Sequence, residues 1–500
     1  MLMTAELLLQ YQRCQRRAFL DTHGDRSQRD TPSEFLLRLQ QDKVIHQQNA
    51  LAQQNPQQPD YYKGNWQAGA IATLELMQQG VERISQGVLL TNYLEKYTLI
   101  SRPDLLIKQP GNSWFGDWVY IPAQIELGKR PKLEYQIIAA YNAYVLEHIQ
   151  GISPKSAWLF LRRPEVYTVD IARWTSQMQR SLAQCLEILE AKLAPEVFIS
   201  RQRCSLCRWY TQCYAIAKSQ QHLSLIPGVT PNRYTQLQAL NVVTLESLTQ
   251  VNPAQLESLP GFDRQVAQKL VLQAQAVFEN RPILLDTTCR IGTAETPIPQ
   301  APIELYFDIE AEPDLNLDYL LGVLVVDRQT GTETFHKLLA ETPAQEETIW
   351  QQFLDLVHQY PTAPIYHFCA YEVDTIKRLG KLYHTPRQQI KTLLARFVDV
   401  YEQVTQTVTL PVENYTLKAI ARWLGFEWRD QQANGSHCIY WYDQWLATGD
   451  RTLLESIVRY NEDDCHATRH VKDWLIDFTT DLPPTTLQAN CSPSSDGEYG

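Results

Sequence analysis

The ten residues IELYFDIEAE (303–312) alternate without interruption: Ile303, Leu305, Phe307 and Ile309 fall on one side, and Tyr306, Asp308 and Glu310 fall on the other. Period-two patterning belongs to a β-strand, whose successive side chains project to opposite faces. It also sets two acids two residues apart on one face. Burying them together costs desolvation and mutual repulsion, and a divalent cation removes both costs. The stretch therefore predicts a strand and, along one of its faces, a metal-binding site.

Downstream, LGVLVVDRQTGTETFHKLL (321–339) reads as a β-hairpin, and IYHFCAYEVDTIKRL (365–379) as a short apolar strand breaking into a helix. Glu372 stands at that junction, and Asp374 follows two residues later. RFVDVY (396–401) places Asp399 after an apolar stretch. In SIVRYNEDDCHATRHVKDWL (456–475), Ile457, Val458, Val471, Trp474 and Leu475 recur at helical spacing. Tyr460 and Asp464 are four apart and share a helix face, which suits a tyrosine that orients an attacking water beside a metal-bound aspartate.

Asp308-x-Glu310 on a first strand and Tyr460-x-x-x-Asp464 on a late helix resemble the end motifs of the DEDD family of 3′–5′ exonucleases, in its tyrosine subclass. The hairpin fits the second and third strands of an RNase H-like sheet. The middle motif of that family carries Asp, and the aligned position here holds Glu372, with Asp374 as the competing candidate. The resemblance implies phosphodiester hydrolysis with two Mg²⁺ or Mn²⁺ ions roughly 4 Å apart. Asp308 and Asp464 would hold them, Glu310 and Glu372 would complete the shells, and oxygen ligands with open water positions suit Mg²⁺.

The N-terminal half, 1 to about 217, mixes helices and strands. TLISRPDLLIK (98–108), WVYIPAQIELG (118–128), SAWLFLR and VYTVDI read as strands, EYQIIAAYNAYVLEHIQG and the run from Trp174 as helices. Of ten cysteines, Cys204, Cys207 and Cys213 fall within ten residues, and Cys14 lies in LLLQYQRCQRRAFL. In a reducing compartment such a cluster reads as a metal site rather than a disulfide framework. One early cysteine and three late ones resemble RecB-like nucleases of the PD-(D/E)XK class that carry a [4Fe–4S] cluster. Four thiolates suit a cubane cluster and also zinc; either would be structural, stapling the ends of one domain.

Asp104 in SRPDLL matches the strand aspartate of that class, and His46 in DKVIHQQ its early-helix histidine. The expected Glu-x-Lys falls on Gln124 and Glu126. Glu126 and Lys129 are the substitutes, although a spacing of three on a strand points them to opposite faces. The downstream tyrosine, Tyr141, fits. The reading is a RecB-like fold with degenerate catalysis, and Lys129, Arg130 and Lys132 as phosphate contacts.

Residues 218–283 hold two Pro-Gly turns, LIPGVT (225–230) and LPGFDR (259–264), between short helices. They resemble helix–hairpin–helix modules, which offer helix N-terminal N–H groups to a phosphate; a plain αα-hairpin spacer is the alternative. A linker is expected over 284–302, including the Pro/Thr-rich TAETPIPQAP, and a disordered tail from Thr479.

Five hundred residues are too many for one ordinary core. An apolar fraction of 44% with 20% charged residues is that of a soluble globular protein. No run of about 18 apolar residues is present to span a bilayer, and the N-terminus is not a signal peptide, so the expected compartment is the cytoplasm. A net charge of −11 neither advertises nor excludes a nucleic-acid partner.

The expected architecture is α/β and multidomain: a RecB-like module (1–217), a helix–hairpin–helix segment (218–283) and an RNase H-like domain (303–478). The expected activity is a metal-dependent exonuclease on single-stranded ends, DNA or RNA. The alternatives are a non-catalytic nucleic-acid-binding scaffold, and cutting by the N-terminal module through His46, Asp104 and Glu126.

Overall fold

A computed structural model describes residues 1–285 and 298–480. They form two compact units, Met1–Ile216 and the chain from Ala217 onward. Among the described residues, no helix is long and apolar enough to cross a membrane.

The N-terminal unit holds a five-stranded sheet in the order Arg83–Ser85, Leu105–Ser113, Gly116–Ile125, Ser156–Phe160, Tyr167–Asp170. A smaller sheet joins Leu2–Thr4, Tyr97–Ser101 and Leu89–Tyr93. The stretch TLISRPDLLIK, expected as one strand, is therefore two strands in two sheets. Pro103 is the reason: it offers no N–H to a ladder and fixes its own φ, so pairing ends at Ser101 and restarts at Leu105. The helix Leu133–Gln150 covers the sheet, with twelve of its residues buried, and the helix Ile171–Glu190 packs on its outer side.

The C-terminal unit is built on a five-stranded mixed sheet in the order Glu333–Leu339, Leu317–Asp327, Ile303–Glu312, Ile365–His367, Phe397–Asp399. The first two pairings are antiparallel and the last two parallel. Ile303–Glu312 is the central strand. Both of its faces are covered, which is why the face bearing Tyr306 and Glu310 is as buried as the face bearing Leu305 and Phe307.

The helix Arg451–Thr480 lies on this sheet through Leu454, Ile457, Asn461, Asp464, Cys465, Thr468, Val471, Lys472 and Leu475, all buried. That is one face of a 3.6-residue period. Its axial register is pinned by Lys472, whose Nζ meets Glu304 at 2.8 Å while Arg328 holds the same carboxylate at 2.6 Å. Four strand residues from Glu304 to Asp308 span about 13 Å, and eight helix residues from Lys472 back to Asp464 span about 12 Å. A buried ion pair at one end thus brings Asp464 level with Asp308 at the other.

The helices of 218–283 fold within the same unit. The turn glycines Gly228 and Gly261 have φ of +91° and +88°, and the Arg233 guanidinium donates to both of their carbonyls at 2.8 Å. Lys269 donates to the carbonyl of Thr405 and Gln273 to that of Leu410. Leu284, expected to begin the linker, instead pairs with Val408 in a two-stranded ladder, and Leu285 beside it is buried. Residues 286–297 of that linker lie outside the described residues. Thr479 and Thr480, expected to open the tail, belong to the last helix; the rest of that expected tail, residues 481–500, lies outside the described residues.

Candidate metal centre

Asp308 and Glu310 leave the central strand on the side of the Arg451–Thr480 helix, where Asp464 meets them. One carboxylate oxygen from each of the three lies within 4.8 Å of the other two. Glu372, in the first turn of the helix Tyr371–Leu382, adds its negative charge to those of Asp308 and Glu310. Its Oε2 is buried and has only a long contact of 3.5 Å from His367 Nδ1 among the described residues. Buried acceptors are rarely left unpaired, and three converging carboxylates with the Glu372 charge beside them are a donor set for Mg²⁺ or Mn²⁺.

The electrostatics agree. Burial first, then the charges of Asp464, Glu310 and Glu372, hold Asp308 well above the usual carboxylate range, against a hydrogen bond from Asn461. Glu310 is raised by burial and by Asp464, against a hydrogen bond from the Cys438 thiol. Burial pushes Asp464 up to about 7, opposed by hydrogen bonds from Trp428 and Tyr460. Glu372 is raised by burial, and His367 at 3.5 Å opposes the shift. Carboxyls this reluctant to ionise are the ones that gain most from a bound cation.

The Tyr460 hydroxyl donates to Asp464, and burial and Asp464 together raise its pKa, so the phenol keeps its proton. Of the two middle-motif candidates, the structure brings in Glu372 and leaves out Asp374, which is exposed and lies 3.5 Å from Lys377. Asp399 caps its own helix and accepts the backbone N–H of Cys369 at 3.0 Å. Asp463, beside Asp464, is engaged by Arg429 at 2.7 Å.

Several residues at the centre had no mark in the sequence reading. Asn461 donates to Asp308 at 2.7 Å and Trp428 to Asp464 at 2.7 Å. Lys418 stands 5.0 Å from the Tyr460 ring centroid. Asn461 was within reach of pattern reasoning: with Asp464, Cys465 and Thr468 it sets polar residues at i, i+3, i+4 and i+7 inside an otherwise apolar helix face. Trp428, Lys418 and Cys438 come from separate segments and carry no local signal.

In the N-terminal unit, Asp104 and Glu126 line one cavity. Lys129 does not join them: it is exposed on the turn after the strand that ends at Ile125. His46 lies on the helix Glu34–Ala52, but the side chains of that helix that meet the two acids are Lys43 and Gln47. Cys14 lies between two helices, and after burial its charge adds to the rise in pKa of the Cys204, Cys207 and Cys213 thiols; Cys204 is pushed up to about 11. In the middle segment the N-terminus of the helix Arg264–Glu279 is capped by the Asp263 carboxylate, which accepts from Val266 at 2.8 Å. An acid there competes with a phosphate for the same N–H groups.

Residues 305–476 match the family model RNase_H_2 of the RNase_H superfamily. The match covers the five-stranded sheet except for its first two residues, Ile303 and Glu304, and every carboxylate of the centre. It gives the C-terminal region an RNase H-like domain, a fold of metal-dependent nucleic-acid hydrolases. No curated protein matches the chain.

Proposed function

We propose that the C-terminal domain is a two-metal 3′–5′ exonuclease acting on single-stranded ends of nucleic acid. The observation that carries this reading is the convergence of Asp308, Glu310 and Asp464 within 4.8 Å, with the Tyr460 hydroxyl on Asp464. Bound divalent ions would supply a water of lowered pKa and a charge to stabilise the leaving oxygen. The residues themselves do the positioning. Asp308 and Asp464 hold the ions, each fixed by a side-chain donor, Asn461 and Trp428. Glu310 and Glu372 complete the shells, and Tyr460, its hydroxyl proton engaged by Asp464, offers its phenol oxygen as an acceptor that orients the attacking water.

The N-terminal unit we read as a RecB-like module that holds nucleic acid, with Cys14, Cys204, Cys207 and Cys213 as ligands of a structural [4Fe–4S] cluster or zinc. The segment 218–283 we read as a helix–hairpin–helix support for the strand. Visible charge-transfer absorbance in anaerobically purified protein would separate cluster from zinc.

The test is degradation of 5′-labelled single-stranded DNA and RNA with Mg²⁺ or Mn²⁺, comparing wild type with Asp308→Ala. A ladder shortening from the 3′ end that vanishes in the variant is the expected result and names the substrate. Absence of metal-dependent cleavage by wild type overturns the reading in favour of a binding scaffold. Internal cuts that survive Asp308→Ala would move the activity to the N-terminal unit.

A further inference from the structure

The N-terminal unit contains a second acidic cavity of about 340 Å³. Asp104, just before the strand Leu105–Ser113, faces Gln124 and Glu126 at the end of the neighbouring strand, the register being set by the pair Leu105↔Ala123. Burial raises the pKa of both carboxyls, and Asp104 raises that of Glu126 further. Gln124 is only 9% exposed, and its Oε1 has no hydrogen-bond partner among the described residues. Two buried carboxylates beside an orphaned amide oxygen form an oxygen donor set of the kind a hard divalent ion takes, and the orphan is costly without one.

The positive charge now in the cavity comes from the chain. The Lys43 Nζ lies 3.5 Å from Glu126 Oε2 and lowers the pKa of both acids. Gln47, one turn on, donates to Asp104 Oδ1 at 2.9 Å. Both project from the helix Glu34–Ala52, in which none of the nineteen residues is buried. Leu37, Val44 and Ile45 on it are 51%, 49% and 47% exposed. A helix held by polar contacts and little core packing moves at small cost in apolar burial.

We propose that Lys43 is the resident cation of this cavity, occupying the place a divalent ion would take among Asp104, Gln124 and Glu126, so that lysine and ion exclude one another. Two cations at about 4 Å repel, and they compete for the same buried Glu126 carboxylate; the ion enters only when Lys43, its side chain 40% exposed, swings out toward solvent. The N-terminal unit is thereby held in a metal-excluded state by its own side chain. This holds whether or not the C-terminal domain is an exonuclease.

The test uses the full chain with Asp308→Ala, Glu310→Ala and Asp464→Ala, which remove the three converging C-terminal carboxylates from every arm. Bound Mn²⁺ is counted from the loss of the free-ion electron paramagnetic resonance signal, and Tm is followed with and without Mn²⁺. Adding Lys43→Met is expected to add one bound Mn²⁺ per chain and an Mn²⁺-dependent rise in Tm. Both gains should vanish when Glu126→Gln is added as well. Lys43→Gln, which keeps a polar side chain, is read in the same way should Lys43→Met fail to fold. Folded Lys43 variants that bind no more Mn²⁺ than the parent, or whose gain survives Glu126→Gln, overturn the proposal.

Discussion

Gly322 stands opposite Asp308 in the antiparallel pair, and the space its missing side chain leaves is filled by the carboxamide of Asn461. A Cβ at position 322 would lie 1.6 Å from Asn461 Oδ1. A glycine in the middle of a central strand weakens the strand; here it gives Asn461 room to reach Asp308 at 2.7 Å.

Gly322→Ala should therefore act through Asn461. The overpacking is expected to cost about 1–3 kcal/mol and to lower cleavage by on the order of 10²-fold, as a small misplacement of a catalytic group does. In an Asn461→Ala background the same change should cost clearly less, because only the 3.1 Å approach to the Phe335 ring remains. A double-mutant cycle in urea, with cleavage rates alongside, checks this; additive effects would mean that the glycine serves some other contact.

Asp308→Asn should separate stability from activity. Burial first, and then the charges of Asp464, Glu310 and Glu372, already hold the Asp308 carboxyl well above its usual range, and a neutral amide escapes both costs. The metal-free chain is expected to gain about 1–2 kcal/mol while metal-dependent cleavage is lost. Unfolding in chelator measures the first and the labelled-strand assay the second. A less stable variant would show that the carboxylates are not in repulsion.

The ends of this centre were legible because each lies in one short segment with its own period: two for Asp308 and Glu310, 3.6 for Tyr460 and Asp464. Glu372 sat at a strand-to-helix junction, where sequence alone left Asp374 open; only packing separates a buried acid from an exposed one two residues on. Trp428 and Cys438 reach the site through tertiary folding, which periodicity does not encode. In the N-terminal unit the acids Asp104 and Glu126 were legible, but their cation was sought on the same strand at Lys129. The structure supplies it from a helix some eighty residues earlier, at Lys43. Pro103 splitting TLISRPDLLIK was visible as a residue, yet its effect, two strands in two sheets, depends on which partners each half finds.

The metal-free chain should lose stability as pH rises. Asp464 titrates at about 7 when folded and at about 3.9 when unfolded, so the folded state binds more protons between these values. Its contribution is complete below about 4 and is lost as pH climbs through about 7. Asp308, Glu310 and Glu372 are shifted in the same direction. Thermal unfolding in chelator should give a higher Tm near pH 5.5 than near pH 8, and the Tm gained on adding Mn²⁺ should be larger at the higher pH, where the ligands need no deprotonation. The opposite ordering would remove these carboxylates as the metal's ligands.

Trp428→Phe should move the pH dependence of cleavage in a defined direction. The indole N–H donates to Asp464 Oδ1 at 2.7 Å and helps to keep that carboxylate ionised. A hydrogen bond to a charged group contributes roughly 1.5–3 kcal/mol. Its loss raises the pKa of Asp464, so the acid limb of the cleavage profile is expected to shift upward by about one to two pH units. At high pH, where Asp464 is ionised in both proteins, the rates should converge to within the cost of the smaller ring. A lower plateau with an unmoved acid limb would instead reduce Trp428 to packing.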